Sequence, residues 1–157
     1  MQVGSPSPGP VVFRNNAAVF LWGFMGAWML MLALFTCLYV RDGDNGEKML
    51  PLVLMAFWLF GWAACHWAFG HARVRVEIGH GRVLAREVYA WSTRENRYAA
   101  SDVFVPDVVE EKDSDGDPYF KCLLRLPDGR SLTVAESHSR PRMEARRAEL
   151  LAALAVR

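Results

Sequence analysis

The stretch that decides the fold reads NNAAVFLWGFMGAWMLMLALFTCLYV (Asn15–Val40), and a second of the same character follows as MLPLVLMAFWLFGWAACHWAFGHA (Met49–Ala72). Neither stretch contains an Asp, Glu, Lys or Arg residue. A helix needs about 20 apolar residues to cross the roughly 30 Å hydrocarbon core of a bilayer. The sequence therefore predicts two transmembrane helices, over residues 17–40 and 49–70, in a hairpin that occupies residues 15–72.

The residues on either side of this hairpin are of a different kind. Residues 1–14 contain three prolines interspersed with glycine and serine, a composition typical of a flexible leader without structure. From residue 73 onward, apolar and polar residues alternate as in half-buried strands. The sequence predicts one mainly-β domain over residues 73–157, with six or seven strands in a strongly bent antiparallel sheet or small open barrel.

A helix is predicted at the end of this domain, over residues 141–156, where it would cap the open end of the sheet. Its apolar stripe repeats with helical spacing at Met143, Leu150, Leu151 and Leu154. Before it, Pro127-Asp-Gly-Arg130 predicts a hairpin turn. Pro106 marks an edge or bulge in a strand predicted at Val103–Glu111.

Charge indicates which partners are excluded and how the hairpin is oriented. From residue 73 onward there are 15 Lys and Arg against 14 Asp and Glu, so nucleic acid is not an expected partner. Positive residues near membrane helices mark the cytoplasmic side. Five flank the hairpin and two lie in its loop, Arg41–Lys48; the five are Arg14, Arg73, Arg75, Arg82 and Arg86. We expect both termini in the cytoplasm, and the Ala- and Arg-rich composition suits a bacterial inner membrane.

Four residues are candidates for contact with the bilayer. Trp22 and Trp67 fit an aromatic belt at the cytoplasmic interface. Arg73 and Arg75 follow the second span directly, where each contact with an anionic headgroup is worth about 1 kcal/mol. The lipid bilayer itself is therefore an expected partner, without a specific site.

Two further groups are candidates for contact with another protein. Trp58 and Trp62 fall deeper in the second span, where an indole N–H requires a hydrogen-bond acceptor. The acidic segment with Asp113, Asp115 and Asp117 resembles a calcium loop only superficially, because it lacks the glycine and the final glutamate that such a loop needs. An exposed acidic hairpin tip that could meet a basic partner is the better interpretation.

His66 and His71 are the candidates for chemistry within the apolar stretches. A haem between helices takes one histidine from each of two helices, and the first span has none, so His66 could serve such a site only with a second subunit. Glu136, Ser137 and His138 are consecutive at a strand end and point to alternating faces, so they do not form a triad. We expect no catalytic residues, no metal site and no bound cofactor.

Certain segments resemble a known family: Val74-Arg-Val-Glu-Ile-Gly, Gly81-Arg-Val-Leu-Ala-Arg, Tyr98-Ala-Ala-Ser-Asp-Val-Phe-Val, Leu126-Pro-Asp-Gly-Arg-Ser-Leu and Arg142-Met-Glu-Ala-Arg-Arg-Ala-Glu-Leu-Leu. Behind a pair of apolar helices, they resemble the bacterial membrane-anchored pleckstrin-homology-like proteins, from Ala17 to the C-terminus. The resemblance implies a scaffold or binding role and no common catalytic residues. Relatives that bind phosphoinositides use a basic loop between the first two strands, whereas here that turn is expected at Gly79–Arg82.

The leading hypothesis is a non-enzymatic integral membrane protein, an accessory or scaffold subunit that contacts other membrane proteins or itself. One alternative is a subunit of a membrane redox complex that contributes His66 to a haem or metal site. Another is a sensor of anionic lipid or of a small ligand, which would use the open end of the barrel.

Overall fold

The computed structural model describes residues 9–42 and 49–155. Its elements in chain order are β1 (Val11–Asn15), α1 (Ala17–Asp42), α2 (Met49–Phe69), β2 (Arg73–Gly79), β3 (Arg82–Val88), β4 (Thr93–Ala99), a 3-10 turn (Ala100–Asp102), β5 (Asp107–Lys112), β6 (Pro118–Arg125), β7 (Ser131–Ser137) and α3 (Arg140–Ala155). The chain divides into two compact units. The hairpin unit contains residues 16–73 and the β3–β4 turn at residues 89–92, and the sheet unit contains β1, residues 74–88 and the chain from Thr93 onward.

The hairpin unit is built from α1 and α2, which are 26 and 21 residues long. At 1.5 Å per residue they measure about 39 and 32 Å, and both are long and apolar enough to cross a bilayer. Their bounds agree within two residues with the predicted spans. Most of their side chains are not covered by protein. The loop that the sequence places outside the cell lies beyond the described residues at positions 43–48.

Gly61 of α2 is buried where this helix contacts α1. A Cβ atom at this position would lie 2.8 Å from the Sδ atom of Met29. Met25, Cys65 and Ala68 form the buried centre of the contact around it. Glycine at position 61 therefore leaves room for the side chain of Met29, and small residues of this kind are common where helices pack in lipid.

The first sheet has the strand order β1-β2-β3-β4, and β1 pairs antiparallel with β2. Asn15 faces Val74 in this register, and the side chain of Phe13 is buried. The prediction that residues 11–14 belong to a leader is therefore wrong, and residues 1–8 of that leader lie outside the described part of the chain. Five residues give only a brief alternation, and their partner strand lies beyond both helices, so the local pattern does not reveal β1.

The helical hairpin is thus an insertion between two neighbouring strands. The prediction placed the whole domain after the hairpin and took Gly79–Arg82 as the turn between its first two strands. In the structure this turn joins β2 to β3, and the connection between β1 and β2 is the hairpin itself. His80 and Gly81 adopt left-handed φ angles of 53° and 69° in the β2–β3 turn, which match the right-handed twist of a two-residue β-hairpin.

The second sheet has the order β5-β6-β7 and is packed against α3. Alternate side chains of β6 and β7 point into a core that both sheets share. Its fully buried side chains include Val76, Val83, Leu124, Met143 and Leu150. The predicted C-terminal helix is confirmed as α3, although Leu151 of the predicted stripe is exposed.

The mainly-β class with a C-terminal helix is confirmed, in the form of two antiparallel sheets and not of a closed barrel. Seven strands are present among the residues that the structure describes. The strand predicted at Val103–Glu111 begins only at Asp107. Pro106 has no N–H to give to a strand ladder, and its carbonyl accepts a hydrogen bond from Nε of Arg147 at 2.9 Å.

Candidate functional site

A cavity of about 400 Å³ lies in the hairpin unit beside the last two turns of α2. Its walls come from α2 and from the β3–β4 turn, and include Trp62, His66, Phe69, Tyr89, Trp91 and Ser92. We call it the α2-end cavity. Four of the lining residues have aromatic rings, Trp62, Phe69, Tyr89 and Trp91, and His66 and Ser92 are polar. Cavities of this size and mixed lining are typical of small-molecule sites.

The β3–β4 turn brings Trp91 against the last residue of α2. The backbone N–H of Tyr89 donates to the carbonyl oxygen of Ser92 at 2.8 Å and closes the turn. The Trp91 ring meets the Phe69 ring edge to face, with centroids 5.0 Å apart, an arrangement that aromatic pairs favour. Trp91 is nonetheless 80 % exposed. The turn therefore presents a large apolar surface beside the cavity.

Sequence reasoning missed Trp91, which lies in the turn between β3 and β4. Turn positions favour glycine, asparagine, aspartate and serine, and the segment Tyr89-Ala-Trp-Ser92 supplies two aromatic rings instead. The proximity of this turn to α2 has no local sequence pattern. The turn follows the pair Val88 and Thr93 at the end of β3 and the start of β4, and the contact of Trp91 with Phe69 joins it to α2.

His66 lines the α2-end cavity, so the candidate ligand of the redox hypothesis lies where a bound molecule could reach it. His71 lies in different surroundings: its Nδ1 atom is 2.9 Å from the carbonyl oxygen of Trp67, and the two rings stack edge on. In the described part of the chain, no three His, Cys, Asp or Glu side chains are grouped as metal ligands. A haem or metal at His66 would still require a ligand from a second subunit.

The indole N–H groups of two tryptophans join α1 to α2. Trp22 donates to the carbonyl oxygen of Ala68 at 3.1 Å, and Trp58 donates to Oγ1 of Thr36 at 3.1 Å. Trp58 therefore has its acceptor within the hairpin, and its indole does not need the outside partner that the sequence suggested. Nε1 of Trp28, by contrast, is buried without a hydrogen-bond partner.

Trp62 and Trp67 project from α2 and are both exposed. Trp62 lines the α2-end cavity, whereas Trp67 contacts His71. Their exposure leaves both rings accessible to lipid or to another protein. The contacts predicted for them stay predictions.

Arg73 and Arg75, the predicted headgroup contacts, follow α2 at the start of β2. Nη2 of Arg75 lies 2.6 Å from Oε1 of Glu77, so this guanidinium already pairs with a carboxylate. A lipid headgroup would have to compete with that ion pair. Arg73 is half-buried. The lipid contacts of the two arginines are not tested by this geometry.

The sheet unit contains a polar cluster that connects the two sheets. Arg130, at the entrance to β7, pairs with Glu87 of β3. Its Nε donates to Oδ2 of Asp128 at 2.9 Å and its Nη2 to the hydroxyl of Tyr98 at 3.0 Å. Tyr98 in turn donates to Oδ2 of Asp128 at 2.7 Å. We call these four residues the Arg130 clasp.

The contacts within the clasp shift the pKa values of three of its members. Hydrogen bonds from Arg130 and then from Tyr98 lower the pKa of Asp128 to about 2. Burial, followed by the hydrogen bond to Asp128, raises the pKa of Tyr98. The hydrogen bond to Asp128 raises the pKa of Arg130. The arrangement is that of an internal brace, since each charged group is directed at another member of the cluster.

In the acidic tip that was predicted to contact a partner, the carboxylate of Asp113 accepts hydrogen bonds from backbone N–H groups of the tip itself. Oδ1 of Asp113 accepts the N–H groups of Asp115 and Asp117, each at 2.9 Å. Oδ2 of Asp113 lies 3.8 Å from Nδ1 of His138. Asp115 and Asp117 are exposed, so of the three carboxylates these two are the most accessible to a basic partner.

The three consecutive residues that sequence reasoning rejected as a triad, Glu136, Ser137 and His138, each have a different partner. Oγ of Ser137 accepts the N–H of Ser139 at 3.1 Å, while the Glu136 carboxylate accepts a hydrogen bond from Asn15 at 3.4 Å. The His138 ring stacks edge on with Tyr119, at a centroid distance of 4.9 Å. Burial, followed by the neighbouring Glu136 carboxylate, raises the pKa of Tyr119 to about 12.

Comparison of the sequence with models of known protein families and with characterised proteins found no match. The chemistry of the chain must therefore be judged from its own geometry. Among the described residues, the structure contains an amphipathic cavity beside the end of an apolar helix and an internal polar cluster in the sheet unit.

Proposed function

We propose that this chain is a non-enzymatic integral membrane protein, an accessory or scaffold subunit with a pleckstrin-homology-like domain held at the bilayer. Two helices long and apolar enough to span a membrane support the anchoring. A four-stranded and a three-stranded antiparallel sheet followed by a C-terminal helix support the fold assignment. The flanking positive charges support cytoplasmic termini, and the Ala- and Arg-rich composition suits a bacterial inner membrane.

The observation that carries the proposal is the insertion of the hairpin between β1 and β2. One residue separates β1 from α1, and residues 70–72 separate α2 from β2. Links of one and three residues extend at most about 4 and 11 Å. Two links this short keep the domain close to its membrane anchor, as a scaffold subunit held at the bilayer requires.

The sheet unit offers two surfaces to a partner. Phe104 and Val105 are exposed side by side before β5, and Asp115 and Asp117 are exposed at the β5–β6 tip. Exposed apolar side chains and accessible charges are the features of protein contact surfaces. The tip is the surface that the sequence predicted.

The test is affinity capture of the tagged full chain from native membranes in mild detergent, read by quantitative mass spectrometry. We expect a membrane protein in a fixed ratio to the chain, and we expect its recovery to fall when Asp115 and Asp117 are both replaced by Lys. Glu149→Lys, which reverses an exposed charge on α3 outside both surfaces, is the control and should recover the partner normally. Capture of the chain alone, at all detergent strengths, would contradict the accessory role.

The redox alternative retains one structural support, since His66 lines a cavity. Its test is the visible absorption spectrum of the same preparation. A Soret band that disappears in His66→Ala would replace the scaffold proposal with the redox one.

A further inference from the structure

We propose that the α2-end cavity binds one phospholipid from the surrounding leaflet, with the β3–β4 turn as a membrane-interface anchor. This inference rests on the proposed membrane location of α2. It adds a specific lipid site that the positive flanking residues do not supply, since a headgroup contact by Arg73 or Arg75 needs no cavity.

The α2-end cavity lies beside the last turns of α2, from Cys65 to Phe69. Most side chains of this helix are not covered by protein. A cavity on such a helix opens to the medium around the helix. If α2 spans the bilayer, that medium at the last helical turns is the region of lipid headgroups and upper acyl chains.

Trp91 is an exposed tryptophan beside the end of α2. In a turn facing water, a tryptophan that is 80 % exposed would leave a large apolar area hydrated, at an unfavourable free energy of about 25 cal/mol per Å². At a membrane interface the same ring is in its preferred surroundings, because its body is apolar and its N–H is polar. The contact with Phe69 fixes Trp91 beside the last residue of α2, and therefore at the depth where such a ring is stabilised.

The lining of the cavity combines polar with aromatic residues: His66 and Ser92 lie beside Trp62 and Phe69. A phospholipid carries both features that this lining matches: apolar acyl chains for the rings, and ester and phosphate oxygens that accept hydrogen bonds from an imidazole or hydroxyl. A purely apolar molecule would leave the polar groups unused, and a soluble polar ligand would leave the aromatic wall uncovered.

The experiment is native mass spectrometry of the full chain, released from nanodiscs of mixed phosphatidylcholine and phosphatidylglycerol into mild detergent. We expect the wild type to retain one phospholipid per chain. Trp91→Ala removes one wall of the cavity and should weaken retention about tenfold, the effect of losing one aromatic contact. Phe20→Ala is the matched control, because Phe20 is 79 % exposed in the same unit and lies outside the cavity.

A second variant guards against a folding defect in Trp91→Ala. Ser92→Phe fills the cavity from an exposed turn position and keeps the backbone carbonyl that closes the turn. We expect it to displace the phospholipid while the chain remains monodisperse. Subtracting the fluorescence of Trp91→Phe from that of the wild type isolates the emission of Trp91. We expect this emission to be quenched in nanodiscs whose lipids are brominated near the top of the acyl chains.

The outcomes separate this inference from the function on which it rests. Unquenched Trp91 emission, or equal lipid retention in wild type, Ser92→Phe and Phe20→Ala, would overturn the lipid site while the chain remains a membrane protein. Extraction of the wild-type chain from membranes by alkaline carbonate would instead overturn the membrane location itself.

Discussion

Replacement of Arg130 by Met should destabilise the sheet unit by about 2 kcal/mol. The side chains of Arg130 and Glu87 are only 26 % and 12 % exposed, so their ion pair is more protected from water than a surface pair. Surface pairs contribute about 0–1 kcal/mol, and loss of one partner from a fully buried pair costs about 3–5 kcal/mol. The Arg130–Glu87 pair lies between these limits. Methionine replaces the apolar stem of the arginine side chain without its guanidinium, so the loss is mainly that of the charged hydrogen bonds.

Arg125 provides the matched control, since it lies in the same β6–β7 hairpin. Its Nη2 atom is 3.8 Å from Oδ2 of Asp107, and the two side chains are 57 % and 54 % exposed. An exposed pair of this kind is screened by water and salt. Arg125→Met should therefore change the free energy of opening by less than about 0.5 kcal/mol.

The thiol of Cys122 offers a direct assay, because it is fully buried in β6 at the centre of the sheet core. In a background with Cys37→Ser and Cys65→Ala, labelling of Cys122 reports the fraction of time for which the sheet unit is open. A loss of about 2 kcal/mol corresponds to labelling about 30-fold faster, since each 1.36 kcal/mol is a factor of ten. A cycle with Glu87→Gln should give a coupling energy above about 1 kcal/mol. Equal labelling rates in Arg130→Met and Arg125→Met would refute the clasp.

Three further predictions concern pH and packing. The folded pKa of Asp128 is about 2, below its ordinary value of 3.8, so the stability it provides is complete above pH 4 and lost as the pH falls toward 2. Asp128→Asn should therefore reduce the pH dependence of the free energy of unfolding, measured with urea between pH 4 and 2. An unchanged pH dependence would contradict the Arg130 clasp. The folded pKa of Tyr119 is about 12 against an ordinary 10.0, so its contribution is complete below pH 10 and declines between pH 10 and 12; ultraviolet titration of wild type minus Tyr119→Phe should show one late-ionising phenol. Gly61→Ile should lower the free energy of unfolding of the hairpin in detergent by about 1–3 kcal/mol, because its Cβ would lie 2.8 Å from Sδ of Met29. Gly23→Ile is the control and should leave this free energy unchanged, because there is open space at its Cβ.

The elements that sequence reasoning located correctly are those whose pattern is local. Both helices follow from uninterrupted apolar composition, and α3 follows from a 3.6-residue repeat with Met143 and Leu150 on its buried side. The β6–β7 turn follows from Pro127-Asp-Gly-Arg130, and the structure closes it with a hydrogen bond from N of Leu126 to the carbonyl of Arg130 at 2.8 Å. Each of these patterns is complete within about 25 residues.

The features that escaped prediction depend on residues far apart in the chain. The clasp joins Glu87 to Arg130 across 43 positions, and neither residue differs on its own from an ordinary surface charge. The α2-end cavity includes Phe69 of α2 and Trp91 of the β3–β4 turn, whose rings are in contact. A single sequence carries no periodic pattern for such pairs, so the sequence singled out only His66 and Trp62 among the residues of this cavity.

The insertion of the hairpin between β1 and β2 has a consequence for folding. Residues 16–73 separate Asn15 from its partner Val74, and closing a flexible loop of that length costs about 3.6 kcal/mol beyond a constant term. An antiparallel pair of helices removes most of this cost, because packing of α1 on α2 brings the two ends of the segment together before the strands meet. The hydrogen bond from Trp22, early in α1, to the carbonyl of Ala68, late in α2, holds those ends in register. Pairing of β1 with β2 is therefore expected to depend on the hairpin, and Trp22→Phe should weaken amide-exchange protection in β1 more than in β6, which pairs only with strands that follow the hairpin. Equal loss of protection in the two strands would show that β1 joins its sheet independently of the helices.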